Sequence, residues 1–191
     1  MAVDQIQTEL ESAREALSSL LDGDASERVG RIAATIADSL RAGGKVMACG
    51  NGGSSADAMH FCEELTGRYR GDRPALGAIA CVDPGHLTCT ANDYGYEMVF
   101  SRWVEALGRP GDVLVALTTS GKSRNVLRAV EAAGAIGMKR VAMLGGDGGV
   151  LRGLCEHEIV APGGTADRVQ ELHMLMLHCV IGEIERRLGV A

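Results

Sequence analysis

The sequence KVMACGNGGSSADAMHFCEEL, residues 45–65, joins a strand, a turn and a helix in the order that decides the fold. Its apolar start predicts a buried strand, the glycine-rich part predicts a turn, and the remainder predicts a helix. Three further runs, LGAIACV, DVLVALTT and RVAMLGG, are apolar on both faces, and helical stretches such as NVLRAVEAAGAIG separate them. Strands of this kind are typical of a parallel sheet covered on both sides, so the sequence predicts a doubly wound α/β fold.

Helices are predicted at both ends of the chain. Apolar residues recur at spacings of three and four from about residue 4 to 21, and again up to Leu40, before Gly43 ends the second helix. Residues 166–188 predict a long final helix whose middle, LHMLMLHCVI, is apolar nearly all round. Because such a helix needs burial on several sides, we expect the N-terminal and C-terminal helices to take part in contacts between copies of the chain.

Composition is typical of one compact domain. Of the 191 residues, 46% are hydrophobic and 3% aromatic, and no linker divides the chain. We therefore expect a single domain, 1–191, made of an N-terminal helical region, 1–43, and an α/β core with the final helix, 44–191.

Charge and cysteine usage limit the partners and the compartment. The net charge of −6, with scattered basic residues, disfavours binding to nucleic acid or to an anionic membrane. The six cysteines form no CxxC pair, and the N-terminus has no apolar signal core. These features favour a cytoplasmic protein with reduced thiols.

Candidate sites lie in the loops that follow the strands, since parallel sheets bind ligands at the carboxyl ends of their strands. These loops start at Gly50, Thr118 and Gly145. The first loop is similar to a dinucleotide fingerprint, but Ser55 occupies the third glycine position and no acidic partner follows. Free amides at the helix start, with the hydroxyls of Ser54 and Ser55, instead favour an anionic or polyhydroxyl ligand.

The segment TTSGKS, residues 118–123, ends like a P-loop. The first glycine of that motif would fall on Ala116, which excludes a P-loop. Four hydroxyl side chains remain beside the amides of a helix start, and they predict a neutral cradle for a single phosphate group. These side chains belong to Thr118, Thr119, Ser120 and Ser123. A helix cap would account for only one or two of them.

His60 and Glu64 lie four residues apart on a predicted helix, so both side chains share one face, with Asp57 near the same stripe. Such a pair is commonly a solvated surface pair. Here it begins one turn after a loop suited to a ligand, which favours a metal or catalytic role.

Polar residues also interrupt the final helix. Gln170 and His178 are eight residues apart, hence about 12 Å along a helix axis. If both served one metal ion through bonds of about 2 Å, they would come most naturally from different copies of the chain. We therefore expect the downstream half of the site on a neighbouring chain. His173 is of a kind usually satisfied within a core, and Asp167 lies near the helix start.

Four separated segments carry a resemblance to one family: GNGGSSADAMHFCEELTGRY, ANDYGYEMVFSRWVEALGRPGD, TTSGKSRNVL and TADRVQELHMLMLH. From about residue 20 to 188, the chain resembles the bacterial sedoheptulose 7-phosphate isomerases (phosphoheptose isomerases) of the sugar-isomerase (SIS) domain superfamily. The resemblance implies a cytoplasmic, homotetrameric enzyme with one zinc ion per active site. Its implied reaction converts sedoheptulose 7-phosphate into D-glycero-D-manno-heptose 7-phosphate through a cis-enediol, for surface polysaccharide.

The resemblance also implies roles for individual residues. The implied metal ligands are His60, Glu64, Gln170 and His178. The implied substrate contacts are Asn51, Gly52, Gly53, Ser54, Asn92, Asp93, Thr118, Thr119, Ser120, Ser123, Asp167 and Gln170. Glu64 and His178 are the implied proton-transfer pair. Ligation and proton transfer compete for the same lone pairs, so either Glu64 and His178 exchange roles during turnover or the metal shifts when substrate arrives.

The chain departs from the family pattern at three positions. Ser55 and Ala56 stand where some members have a His-Cys pair, and Lys122 replaces a residue that is often neutral. These differences bear on substrate preference and leave the implied ligands and hydroxyls unchanged.

Two alternatives stay open. One is a non-catalytic SIS protein that binds a sugar phosphate or a protein partner such as the replication initiator DnaA; such relatives tend to lose the acid/base and metal residues, which are all present here. The other is a SIS isomerase that acts on a hexose or pentose phosphate, against which the segment ANDYGYE and the implied metal ligands argue less strongly.

Overall fold

The computed structural model describes residues 2–191, in which helices and strands alternate along the chain. The strands are β1 (Val46–Gly50), β2 (Ala78–Ala80), β3 (Val113–Thr118), β4 (Lys139–Leu144) and β5 (His157–Val160). The helices are α1 (Ala2–Leu21), α2 (Ala25–Arg41), α3 (Gly53–Thr66), α4 (Pro84–Tyr94), α5 (Val99–Leu107), α6 (Arg124–Ile136) and α7 (Ala166–Leu188). Short 3-10 turns occupy Tyr96–Met98 and Gly149–Leu151.

The strands form one parallel sheet in the order β2-β1-β3-β4-β5. Every residue of β1 and β3 is buried, because alternate side chains enter two separate apolar layers. One layer packs the sheet against α2, α3 and α7, and the other packs it against α5 and α6. The doubly wound α/β fold predicted from the sequence is therefore confirmed.

The two edge strands of the sheet differ from the strands that the apolar runs of the sequence predict. The run LGAIACV contains only the three-residue strand β2. The segment HEIV, which has no continuous apolar run, pairs with β4 as strand β5. His157 and Glu158 are half-buried there, so the pairing comes from the neighbouring strand rather than from local hydrophobicity.

The terminal helices occupy different environments. Helix α7 has the bounds predicted from the sequence and lies against α2 and α3, with ten of its residues buried. Helix α1 leaves Ile6 and Leu10 each 62% exposed. Contacts between copies of the chain through these helices stay a prediction. Within residues 2–191, no helix has the length and apolar character needed to cross a lipid bilayer.

Two glycine loops meet at the carboxyl edge of the sheet. Gly121, after β3, has a φ of +65°, and a side chain there would overlap the backbone carbonyl of Gly148, after β4. Only a residue without Cβ permits this approach of two backbones. This close packing fixes the hydroxyl-rich loop 118–123 at the carboxyl edge of the sheet.

Candidate active site

Helices α3 and α7 bring three of the candidate side chains together. The imidazole Nε2 of His60 lies 3.0 Å from Nε2 of His178 and 3.4 Å from Oε1 of Glu64. The ligand atoms of all three residues lie within 4.8 Å of one another. His60 and Glu64 meet because they are one helical turn apart on α3, whereas His178 reaches them from the adjacent helix. We call these three residues the His–Glu–His group.

The donor set of the His–Glu–His group fits a metal ion. Two imidazole nitrogens and one carboxylate oxygen, with room for a further ligand, are typical of catalytic zinc sites. The second nitrogen of His60, Nδ1, lies 3.2 Å from Oε2 of Glu63. A carboxylate that accepts the proton of Nδ1 leaves the lone pair of Nε2 free to bind a metal ion. Sequence reasoning missed Glu63, which is one residue away from the recognised pair.

Aromatic contacts hold the imidazole of His178 in place. The ring of Tyr69 stacks on it, with centroids 5.6 Å apart and an interplanar angle of 19°. The ring of His60 meets it edge-on, with centroids 5.2 Å apart. His178 is therefore fixed between a ring face and a ring edge.

Gln170 does not join the His–Glu–His group within this chain. It lies two turns before His178 on α7, about 12 Å along the axis, and its carboxamide packs against Gly53 at the start of α3. The expectation that the downstream half of the site comes from a neighbouring chain is wrong for His178, which meets His60 within one chain. It fails because α3 and α7 lie side by side in a register that brings the two histidines together. The expectation that a neighbouring chain supplies Gln170 to the site stays a prediction.

A cleft of about 500 Å³ opens beside Gln170. Its lining is formed by Asp57, Asp167, Gln170, Glu171 and Met174. Asp57 is only 9% exposed, and its Oδ2 has no hydrogen-bond partner among residues 2–191. Burial raises the pKa of this carboxyl to about 6, against the opposing influence of His60. The cleft therefore contains a carboxyl group that exchanges a proton near neutral pH.

Asn51, in the glycine turn, is hydrogen-bonded to the first turn of α6, directly after loop 118–123. Its Nδ2 donates to Oδ1 of Asn125 at 2.9 Å, and Nδ2 of Asn125 donates back to Oδ1 of Asn51 at 2.8 Å. The hydroxyl of Tyr96 donates to the same Oδ1 of Asn51 at 2.9 Å. Sequence reasoning missed Asn125, although a polar residue on the inner side of the first turn of α6 was a usable signal. The bond to Asn125 uses only one of the two Nδ2 protons of Asn51.

The four residues whose hydroxyls are predicted to cradle a phosphate lie in the loop before α6 and at the end of β3. The hydroxyls of Thr118 and Ser123 lie 3.2 Å apart, and that of Ser120 accepts from the amide of Lys122 at 3.2 Å. Ser123 occupies the N-cap position of α6, but its side chain bonds to none of the helix amides. Its hydroxyl is therefore not consumed by capping, which was the competing interpretation.

The remaining candidates lie at the start of α3, on α4 and at the start of α7. Gly52 and Gly53 are exposed at the turn, Ser54 is buried beside them, and Thr119 is half-buried. The exposed Asn92 donates through Nδ2 to Oδ1 of Asp93 at 2.8 Å on the last turn of α4. Asp167 is exposed, and a hydrogen bond from Thr165 lowers the pKa of its carboxyl. Asn92 and Asp93 thus pair with each other, while Asp167 faces the cleft.

His173 is a core residue. It is fully buried, and its Nε2 lies 3.0 Å from the carbonyl oxygen of Leu144 on β4. Burial lowers the pKa of its imidazole. Its Nδ1 is buried without a hydrogen-bond partner among residues 2–191, so the prediction that this histidine is satisfied within the core holds for one ring nitrogen only.

The chain matches known proteins over nearly its whole length. The SIS domain family model matches residues 10–145. The chain is 53% identical over 187 residues to the phosphoheptose isomerase of Tolumonas auensis, covering 97% of both chains. The chain belongs to the phosphoheptose isomerase family of SIS-domain proteins.

Other phosphoheptose isomerases agree with this assignment. That of Vibrio parahaemolyticus is 53% identical over 190 residues, covering 98% of this chain and 100% of its own. The solved structure of a phosphoheptose isomerase from Francisella tularensis superposes with a TM-score of 0.93 at 35% identity, over 97% of this chain and 99% of that one. The family, the SIS-type fold and the aldose–ketose isomerase class expected from the sequence are thereby confirmed.

Proposed function

We propose that this isomerase converts sedoheptulose 7-phosphate into D-glycero-D-manno-heptose 7-phosphate, with one zinc ion in each active site. The observation that carries the proposal is the convergence of His60, Glu64 and His178, two of them on the helix that follows the glycine turn. The names of the homologous phosphoheptose isomerases support the substrate class. The His–Glu–His group supports the zinc, because its donors match those of catalytic zinc sites.

The reaction moves a proton between two adjacent carbons of the sugar. The difficulty is the weak acidity of a carbon beside a carbonyl group, so the site needs a base, an acid and a means to stabilise negative charge on oxygen. Zinc, when bound by His60, Glu64 and His178, supplies polarisation of the carbonyl group. The remaining tasks belong to side chains of the chain.

Glu64 acts as the base and His178 as the acid at the stage of turnover when the metal does not occupy their lone pairs, since ligation and proton transfer compete for them. Glu64 removes a proton from the carbon next to the carbonyl, while His178 supplies a proton to the carbonyl oxygen, giving the cis-enediol. Glu64 then returns its proton to the former carbonyl carbon, and the hydroxyl oxygen on the neighbouring carbon gives its proton to His178, which completes the aldose and restores both side chains. The Glu64 side chain is only 14% exposed, which keeps bulk water from competing for the proton.

The loop 118–123 holds the phosphate at the far end of the substrate. Its hydroxyls lie at the start of α6, where free backbone amides favour an anion. Asn51, Gly52, Gly53 and Ser54 form the sugar-binding turn, and Asn92, Asp93, Asp167 and Gln170 complete the proposed substrate contacts. Binding energy from the phosphate orients the reacting carbons without taking part in the proton transfer.

The active site is completed between copies of the chain in a homotetramer. Gln170 is about 12 Å along α7 from His178, so a Gln170 that binds the same zinc comes from a neighbouring chain. The exposed Ile6 and Leu10 of α1 support association, since a stripe of this kind is commonly buried in an oligomer. A cytoplasmic location also belongs to this proposal, and the free thiols of the six cysteines within residues 2–191 support it.

The direct test is to incubate the purified protein with sedoheptulose 7-phosphate, with and without a zinc chelator, and to follow the aldose product. We expect conversion that the chelator abolishes and added zinc restores. Conversion in neither arm would favour a binding protein without catalysis. Conversion of a hexose or pentose phosphate in preference to the heptose would assign another substrate.

Two variants separate the proposed roles. Glu64→Gln removes the base while keeping the shape of the side chain, so turnover is lost and sugar-phosphate binding is largely kept; substantial residual turnover would exclude Glu64 as the base. Ser120→Ala combined with Ser123→Ala weakens phosphate binding and mainly raises KM. An unchanged KM in this double variant would move the phosphate to another loop.

A further inference from the structure

A buried ion pair lies next to the His–Glu–His group without belonging to it. Nε of Arg73 donates to Oε1 of Glu185 at 2.6 Å, and the two side chains are only 1% and 5% exposed. Arg73 lies in the loop after α3, and Glu185 lies on α7, 112 positions away. Burying two charges costs free energy unless their geometry is good and further hydrogen bonds satisfy them.

The guanidinium of Arg73 also binds the end of α3. Its Nη2 donates to the carbonyl oxygen of Glu64 at 2.6 Å, and its Nη1 donates to that of Leu65 at 2.9 Å. Carbonyl groups in the last turn of a helix have no partner within the helix, and a cation there is favourable. Arg73 therefore fixes the backbone of the residue whose side chain is the proposed base.

The same guanidinium sets the position of α3 relative to α7. Glu185 follows His178 by seven residues, or about two helical turns, so both residues lie on the face of α7 that meets α3. Arg73 thus links the residue that carries Glu64 to the helix that carries His178. The 3.0 Å separation between the histidine nitrogens depends on this arrangement of the two helices.

We infer that Arg73, held by Glu185, is a positioning residue that keeps Glu64 and His178 at the spacing required for metal binding and proton transfer. The inference rests on the proposed function, and it assigns to the active site two residues that touch neither metal nor substrate. Lysine cannot replace Arg73, because a single ammonium group cannot donate to Glu185 and to two helix carbonyls in the geometry of a planar fork.

The test compares Arg73→Lys and Glu185→Gln with wild type. Arg140→Lys serves as a control for the loss of a bidentate arginine–carboxylate pair, since Arg140 on β4 pairs with Glu156 at a more exposed position, and β3 separates β4 from β1 in the sheet. For each protein, zinc affinity is measured by competition with a chromophoric chelator, folding by circular dichroism, and kcat and KM by steady-state kinetics. The zinc measurement does not depend on the identity of the substrate.

We expect the folded Arg73→Lys and Glu185→Gln proteins to bind zinc about 10- to 100-fold more weakly than wild type. Their kcat falls at saturating zinc while KM changes little, because loop 118–123, which is proposed to hold the phosphate, lies outside α3 and α7. Arg140→Lys keeps wild-type zinc affinity. If Arg73→Lys does not fold, Glu185→Gln decides the question, since it preserves the shape of the buried side chain.

A folded Arg73→Lys or Glu185→Gln protein with wild-type zinc affinity and kcat would overturn the inference and leave the ion pair a purely structural role. Equal weakening of zinc binding in Arg140→Lys would also overturn it, because the effect would then be a general response to lost stability. Failure of the proposed function is distinguishable, since it appears as a wild-type protein that does not isomerise the sugar phosphate.

Discussion

Replacement of Gly53 by alanine tests whether the contact between Gln170 and the glycine turn contributes to activity. A Cβ at residue 53 would lie within 2.6 Å of the carboxamide carbon and oxygen of Gln170, whereas ordinary van der Waals contact begins near 3.4 Å. The carboxamide must therefore move by about 1 Å or more. A displacement of about 1 Å at a reacting site can cost about 100-fold in rate, equivalent to about 2.7 kcal/mol of transition-state stabilisation.

The fold should tolerate Gly53→Ala. The clash involves the far end of a flexible side chain, and Gly53 is a helical residue whose φ is not positive. A Gly→Ala change at such a position removes freedom from the unfolded chain and stabilises a protein by about 0.4–1 kcal/mol. We therefore expect kcat/KM to fall about 100-fold while the thermal midpoint changes by only a few degrees.

The assay combines steady-state isomerase kinetics with thermal unfolding followed by circular dichroism. Gly30→Ala is the matched control, because a Cβ at residue 30 meets nothing within 4 Å. It should keep wild-type kinetics. A folded Gly53→Ala protein with kcat/KM within about twofold of wild type would refute the placement of Gln170 at the glycine turn as a functional contact.

Three further predictions concern other parts of the molecule. Asn125→Ala removes both amide hydrogen bonds to Asn51 and should raise KM about tenfold with little change in kcat; an unchanged KM in steady-state kinetics would contradict a functional coupling of the glycine turn to α6. Phe61→Ala empties a fully buried position and should lower the free energy of unfolding by about 3–5 kcal/mol in a urea titration, and a loss below about 1 kcal/mol would show that the site is poorly packed. The pKa of Asp57 is raised from 3.8 to about 6 in the folded state, so the ionised carboxylate destabilises the fold and stability falls as pH rises between about 4 and 6. In metal-free protein, Asp57→Asn should therefore exceed wild type in thermal midpoint at pH 7 but not at pH 3.5, and a difference independent of pH would refute the assigned cause.

Much of the fold was predictable because its signals are local. Strands β1, β3 and β4 appear as short apolar runs, and α7 has a helical pattern with clear ends. The hydroxyl loop and the His60–Glu64 pair were also predictable, since spacing along one element decides which side chains share a face. Strand β5 was missed because its pairing with β4, rather than its own sequence, makes it a strand.

By itself, the sequence determined the parallel sheet, the family and one half of the proposed metal group. Only the tertiary structure decided that His178, and not Gln170, meets His60 within the chain, and that Arg73 reaches Glu185 across 112 positions. The physical reason is that periodicity describes each helix alone, whereas these contacts depend on how far α3 is shifted along α7. That shift is set by side-chain packing and by a buried ion pair between segments far apart in the chain, which no local pattern records.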